Sequence, residues 1–224
     1  MIIMCDRFSL TADLDRLTQD FGIEHVHIPY QRRYNIAPTQ EIPVIQQIGE
    51  ERCLNQQRWG LMPYWGKCSV NTDRGSVADK PYLRSMLAKR RCVVPCSGFY
   101  IWQGDGRTKR AWHAVHPKKP VFAMAGMFDN WIDSERKEYP MCTVITAESA
   151  NGLNRSAPLL LDEASVEVWL DGDVTDTEVL REMLHSLPLT EFYVYPVSPR
   201  VEDISMQDPE CVAEVAVTFS RMKS

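Results

Sequence analysis

Residues 91–125 read RCVVPCSGFYIWQGDGRTKRAWHAVHPKKPVFAMA. Short apolar and β-branched runs at Cys92–Pro95, Gly98–Gln103, Trp112–His116 and Val121–Ala125 are separated by turn signals, with GDGR at 104–107 as a tight turn. Four consecutive strands are predicted here. Outward from them, Met141–Thr146 and Phe192–Val197 read as further strands, and IPVIQQI and ERCLNQQRW flank Gly49-Glu50 as a hairpin. Helices are few and short. Thr11–Phe21 places Leu14, Leu17 and Phe21 on one face, with Thr11 as cap and Gly22 as stop. Pro81–Lys89 has a basic face, Glu163–Leu170 follows later, and Thr175–Leu187 starts at a Thr175/Glu178 capping box. RRYNIAPTQEIP (Arg32–Pro43), with two prolines, reads as an ordered loop, and RWGLMPYWGKC (58–68) as neither strand nor helix. Many strands without strict β-α alternation predict an α+β fold around a curved sheet, one domain spanning residues 1–224.

Composition narrows the class. With 44% hydrophobic and 25% charged residues, the chain suits a soluble globular protein. No apolar run approaches the roughly 20 residues that span a bilayer. Met1–Met4 is apolar but too short for a secretory signal. Seven cysteines, an odd number without regular spacing, predict free thiols in a reducing compartment, hence the cytoplasm. Cys92 and Cys96 have a zinc-like spacing, but no second pair stands nearby, and a strand would point His113 and His116 to opposite faces; no metal is expected. The net charge of −5 is unevenly spread: Lys80–Lys119 holds ten Lys or Arg against Asp105 alone, a net of +9, leaving −14 elsewhere. Such a segment is either a solvated helix face or a track for phosphates, on which Arg84 and Arg90 would lie.

The common catalytic signatures are missing. There is no GxSxG, no phosphate-binding glycine loop and no HExxH, and no cofactor is implied. The loops RYNIAPTQ and RWGLMPYW concentrate asparagine, proline and aromatic residues. Trp59 and Trp65, beside loop prolines, are either core residues or platforms on which unpaired bases stack.

Eight blocks occur in order along nearly the whole chain: MCDRFSL, RYNIAPTQ, RWGLMPYW, Asn71 ahead of ADKPYLR, RCVVPCSGFYIW, FAMAGMFDNW, TVITAESAN and NRSAPLLL. Together they resemble the SRAP family, the SOS response-associated peptidase domain. The resemblance implies one α+β domain with a barrel-like, mostly antiparallel sheet flanked by short helices. It implies a groove for single-stranded DNA, covalent capture of abasic sites in that DNA, and a monomer acting in the cytoplasm or on the nucleoid.

It also implies a role for Cys5, the residue that the family exposes as its N-terminus. A free α-amine with a pKa near ~8 condenses with the open-chain sugar aldehyde, and the thiol of the same residue closes a thiazolidine. Met1–Met4 must then be absent or removed, by initiation at Met4 and trimming or by autoprocessing. Arg7 matches the MCGRF opening, with Asp6 in place of its glycine. Asn35 and Pro38 match the groove loop, Asn71 matches the asparagine of the NAR motif, and Thr146 matches the threonine of the ITT strand. After Asn71, Thr72-Asp73 replaces Ala-Arg, putting an acid where the family binds phosphate. Two further departures concern proton transfer. Ile101 stands at the glutamate of GFYEW, and Asn154 stands at the histidine of HDRMP, followed by Arg155 and Ser156. Neither Ile101 nor Asn154 transfers protons near pH 7. Capture of the aldehyde is expected to survive, while peptide cleavage and cross-link reversal are expected to suffer. The competing readings are a silent DNA-binding module of the same fold and a thiol peptidase acting on other proteins.

Overall fold

The computed structural model describes residues 6–61, 70–104, 110–147, 157–184 and 189–216. From the N-terminal side, β1 (Phe8–Leu10) leads into α1 (Leu14–Phe21), whose cap lies two residues after the expected one. The amides of Thr11 and Ala12 are held instead by the Ser97 hydroxyl at 3.1 and 3.4 Å, so winding begins at Asp13, whose side chain accepts from the Arg16 amide. β2 (His25–Val26) is followed by β3 (Arg33–Ile36), so a third of the predicted Arg32–Pro43 loop lies in this strand. A turn with Thr39 at φ 68° then enters β4 (Glu41–Ile48). Pro43 is tolerated within β4 because that strand meets its neighbour on one side at Ile45 alone, so the missing amide falls outside that ladder. The predicted hairpin forms: Gly49, at φ 61°, turns β4 into β5 (Glu51–Trp59).

β6 (Asn71–Asp73), α2 (Arg74–Asp79) and α3 (Pro81–Lys89) come next. The four predicted strands appear as β7 (Arg91–Cys96), β8 (Gly98–Gln103), β9 (Arg110–Val115) and β10 (Phe122–Ile132). β10 runs well past Ala125, because its outer half, polar in part, pairs with β11 (Glu138–Ala147) from Gly126↔Val144 to Ile132↔Glu138. β12 (Ala157–Pro158), β13 (Leu160–Leu161), α4 (Glu163–Leu170), α5 (Thr177–Glu182) and β14 (Tyr193–Pro196) complete the elements. α5 is capped by Asp176 rather than Thr175, and Glu178, assigned to the capping box, pairs with Arg181 at 2.9 Å. Among the described residues no helix is long and apolar enough to cross a membrane.

The strands form two sheets. The larger follows the order β12-β11-β10-β7-β4-β5-β2, and β5 also pairs with β11, so β11, β10, β7, β4 and β5 close into a five-stranded barrel. An odd ring of strands cannot be antiparallel all round. One seam must be parallel, and it is the β5–β11 seam, where Met141 faces Arg58 and Cys142 faces Trp59. The smaller sheet has the order β14-β9-β8-β1-β3. Along β8 successive side chains enter different cores: Phe99 and Ile101 join the main cluster, which extends from Phe8 to Phe192, while Tyr100 and Trp102 join Val197, Val201 and Cys211 of the C-terminal segment. Arg91, one of the cations of the basic segment, is buried and takes no part in a phosphate track. Its guanidinium donates to the carbonyls of Leu87 and Ala88 at the end of α3 and of Trp169 and Asp171 at the end of α4.

His113 crosses the smaller sheet as a buried polar link. Its Nε2 lies 3.0 Å from the Ser9 hydroxyl and its Nδ1 lies 2.9 Å from that of Tyr195, which in turn donates to the Val212 carbonyl. The Tyr100 ring lies against it, tilted by 38° with centroids 4.8 Å apart, and only glycine fits at 98, since a Cβ there would collide with the imidazole. Burial lowers the His113 pKa from 6.5 to about 4. The unfolded chain therefore binds the proton more tightly, and the stability His113 supplies is complete above pH 6.5 and lost as pH falls toward 4. The loss is expected to reach roughly 2–3 kcal/mol by about pH 4.5. Urea unfolding at pH 7 and 4.5, compared with His113→Gln, measures it; equal acid losses in both proteins would assign the effect to other groups.

Candidate nucleic-acid and reaction site

The sequence-predicted residues fall into three groups. Asn71 and Thr146 come together on β6 and β11, which run parallel, with Asn71 opposite Val144 and Asp73 opposite Thr146. A hydrogen bond of 3.0 Å between the hydroxyls of Thr72 and Thr143 ties the same two strands, and Thr143 also donates to the Val70 carbonyl. Thr146 is 3% exposed, so it contributes to this floor rather than to an open surface. Asp73 has a structural task here: its carboxylate accepts from the Ser76 amide at 3.2 Å and caps α2. Arg155, the residue that could pair with it, lies outside the described residues, as do Cys5, Trp65 and Asn154.

The second group surrounds the start of β1. Arg7 donates to the Asn35 side-chain oxygen at 3.0 Å and to the Val201 carbonyl at 2.9 Å. Asn35 is fully buried, and its amide nitrogen donates to the carbonyls of Val201 and Asp203. Both residues were expected to face DNA. They instead clamp the C-terminal segment over the smaller sheet, and every hydrogen-bonding group of the Asn35 side chain is consumed in doing so. On β8, Ile101 is 2% exposed and lies within the main core. The Trp102 indole donates to Asp6 Oδ1 at 2.9 Å. In the sequence Asp6 stands out as a departure from glycine without a partner, because Trp102 lies 96 residues away along the chain.

Trp59 joins the groups, although not as a stacking platform. Its side chain is fully buried, edge-on to Phe8 with ring centroids 5.2 Å apart. Its amide donates to Gln40 and its carbonyl accepts from Thr39, both at 2.8 Å, while Cys142 of β11 is its register partner. Trp59 therefore holds the Pro38-Thr39 turn, β1 and β11 in one arrangement. A ring so enclosed cannot present a face to a base. Pro38, beside Thr39, is half-buried at the edge of this arrangement.

The third group is basic. Lys80, Arg84, Lys89 and Arg90 are exposed along and beside α3. Arg90 pairs with Asp129 of β10, to which the Tyr82 hydroxyl also donates, a cluster that no sequence spacing revealed. The predicted track is not continuous. Lys118 and Lys119 border a separate cleft of about 460 Å³ with Arg16, Asp20 and Glu163, and Arg107 and Lys109 lie outside the described residues. Among the described residues of the segment, four exposed cations thus gather on and beside α3.

The sequence model of the SOS response associated peptidase (SRAP) family matches residues 4–204. The chain belongs to the SRAP family. It is similar to abasic site processing protein YoqW of Bacillus subtilis, 29% identical over 222 residues that cover 93% of this chain and 99% of that protein. It is also similar to abasic site processing protein HMCES of Xenopus tropicalis, 28% identical over 84% of this chain and 68% of that protein. Among solved structures, a protein from Bacteroides thetaiotaomicron superposes with a TM-score of 0.82 at 20% identity, covering 95% of this chain and 100% of that one. The α+β fold with its closed barrel is therefore an SRAP fold.

Proposed function

We propose that this SRAP protein captures abasic sites in single-stranded DNA through Cys5, as a monomer in the cytoplasm. The observation that carries the reading is the near full-length similarity to proteins named for abasic site processing. Cys5 falls inside the family match, one residue after its start. Once exposed as the N-terminus, its amine condenses with the sugar aldehyde and its thiol adds to the imine, giving a ring that resists hydrolysis. Ile101, buried and apolar, supports slow peptide cleavage and slow release compared with capture. The same residue favours a second reading, a module that binds DNA without covalent chemistry. Incubation with a single-stranded oligonucleotide bearing one abasic site separates the two. Protein beginning at Cys5 is expected to give a heat-stable, gel-shifted adduct, and protein retaining Met1–Met4 none. A folded, DNA-binding, Cys5-initiated protein that leaves no adduct belongs to the second reading.

The exposed cations of α3 supply the electrostatic part of DNA binding. Arg84→Glu is expected to weaken affinity for all single-stranded sequences alike and to lower the log–log salt slope by about 0.7 for each phosphate no longer neutralised. Arg84 is the cleaner probe, because Arg90→Glu would also break the pair with Asp129. Fluorescence anisotropy across a salt series reads both quantities. Unchanged affinity and slope would make α3 a solvated face.

A further inference from the structure

We propose that the Asp6 carboxylate is the proton-transfer group of the Cys5 reaction, an inference that rests on the covalent reading above. Asp6 directly follows Cys5 in the chain. Its Oδ1 is fixed by the Trp102 indole at 2.9 Å, and Trp102 is 4% exposed within the cluster of Tyr100, Val197, Val201 and Cys211. The backbone beside it is pinned as well, since the Tyr100 amide donates to the Arg7 carbonyl at 3.0 Å. Oδ2 meets no donor among the described residues. The adjacent cation does not neutralise the acid, because the Arg7 guanidinium is turned to Asn35, Val201 and Glu202. The facing strand offers only hydrocarbon at Ile101. A carboxylate oriented by one oxygen and open at the other, one peptide unit from the reacting residue, suits a proton shuttle.

The chemistry balances around it. Asp6 takes a proton from the Cys5 α-ammonium, and the freed amine adds to the aldehyde carbon to give a carbinolamine. The protonated Asp6 returns that proton to the carbinolamine hydroxyl, which leaves as water and gives the iminium. The thiol sulfur then adds to the iminium carbon, which leaves the nitrogen neutral, and the thiol proton passes to solvent. The sum is aldehyde plus ammonium-thiol giving thiazolidine, one water and one proton.

Asp6→Asn tests the assignment without disturbing the anchor, because the amide oxygen still accepts from Trp102. Two aldehydes serve as probes for Cys5-initiated protein: free 2-deoxyribose, which needs no DNA binding, and an abasic oligonucleotide. With both, Asp6→Asn is expected to slow ring formation at pH 6–7 by at least about 10-fold. Rates are followed across a pH series for each protein, and Asp6→Glu should recover part of the rate. DNA affinity should stay equal or tighten, since a negative charge is removed. Equal rates and equal profiles for wild type and Asp6→Asn with free 2-deoxyribose would overturn the proposal and reduce Asp6 to an anchor. The free sugar keeps the two readings apart: a protein that reacts with 2-deoxyribose but not with abasic DNA refutes the DNA reading, whatever Asp6 does.

Discussion

Arg91→Met is expected to destabilise the protein by about 2–4 kcal/mol, since stranding buried carbonyls costs about 1–3 kcal/mol each. The reason lies in what the guanidinium satisfies. Its donors reach four carbonyls at the C-terminal ends of α3 and α4, where helix dipoles concentrate negative potential and no intrahelical amide remains to bond them. Methionine fills a similar volume, so packing changes little and the loss reports the polar interactions. The Leu87 and Trp169 carbonyls would lose their buried donor, whereas Asp171 is exposed and its carbonyl still accepts from the Val174 amide. Arg91→Lys keeps the charge but cannot fork across two helices, so it should fall between the two. Urea unfolding at pH 7 measures the series, and a loss below about 1 kcal/mol for Arg91→Met would mean that water replaces the guanidinium at little cost.

Trp59→Ala should cost a similar about 3–5 kcal/mol through the cavity it opens where the Pro38-Thr39 turn, β1 and β11 meet. Trp59→Phe should cost less than half of that, because the Trp59 indole N–H has no acceptor among the described residues and its loss strands no polar group. The alanine variant carries a second consequence. Phe8 would lose its edge-on partner, and β1, which leads back to Cys5, would lose support. Hydrogen exchange of the β1 amides should therefore rise in Trp59→Ala and stay near wild type in Trp59→Phe. If both variants lose below about 1 kcal/mol, the burial of Trp59 is incidental.

These two residues also show what the sequence reveals and what it conceals. The hairpin at Gly49, α3, α4 and the four strands from β7 to β10 were legible, since each depends on neighbours within a few residues. Barrel closure was not. It needs Trp59 to meet Cys142, 83 positions later by their numbering, and no local periodicity encodes that seam. Trp59 thus looks equally fit for core or platform until the parallel pairing is seen. Arg91 sits in a basic run and reads as surface charge, although its neighbours Cys92, Val93 and Val94 already mark a buried strand. α1 is capped at Asp13 and not Thr11 because the Ser97 hydroxyl claims the amides of Thr11 and Ala12. At the site, the blocks singled out Asn71 and Thr146, which the structure brings to the adjoining strands β6 and β11. The hydrogen bonds of Arg7 and Asn35 were not legible because their partners, Val201 and Asp203, come from the far end of the sequence. Asp6 was visible as an unusual residue, but its meaning depends on the indole that holds it.

The central claim is that Cys5 forms the bond to DNA through both its amine and its sulfur. The most direct measurement is peptide mass mapping of the purified adduct formed with an abasic oligonucleotide. The account predicts a peptide beginning at Cys5 and carrying the sugar remnant with one water lost. Its sulfur should resist alkylation, and its linkage should be unaffected by borohydride, because a thiazolidine contains neither a free thiol nor an imine. A linkage mapped to a lysine as a borohydride-reducible imine, with the Cys5 thiol still open to alkylation, would contradict it.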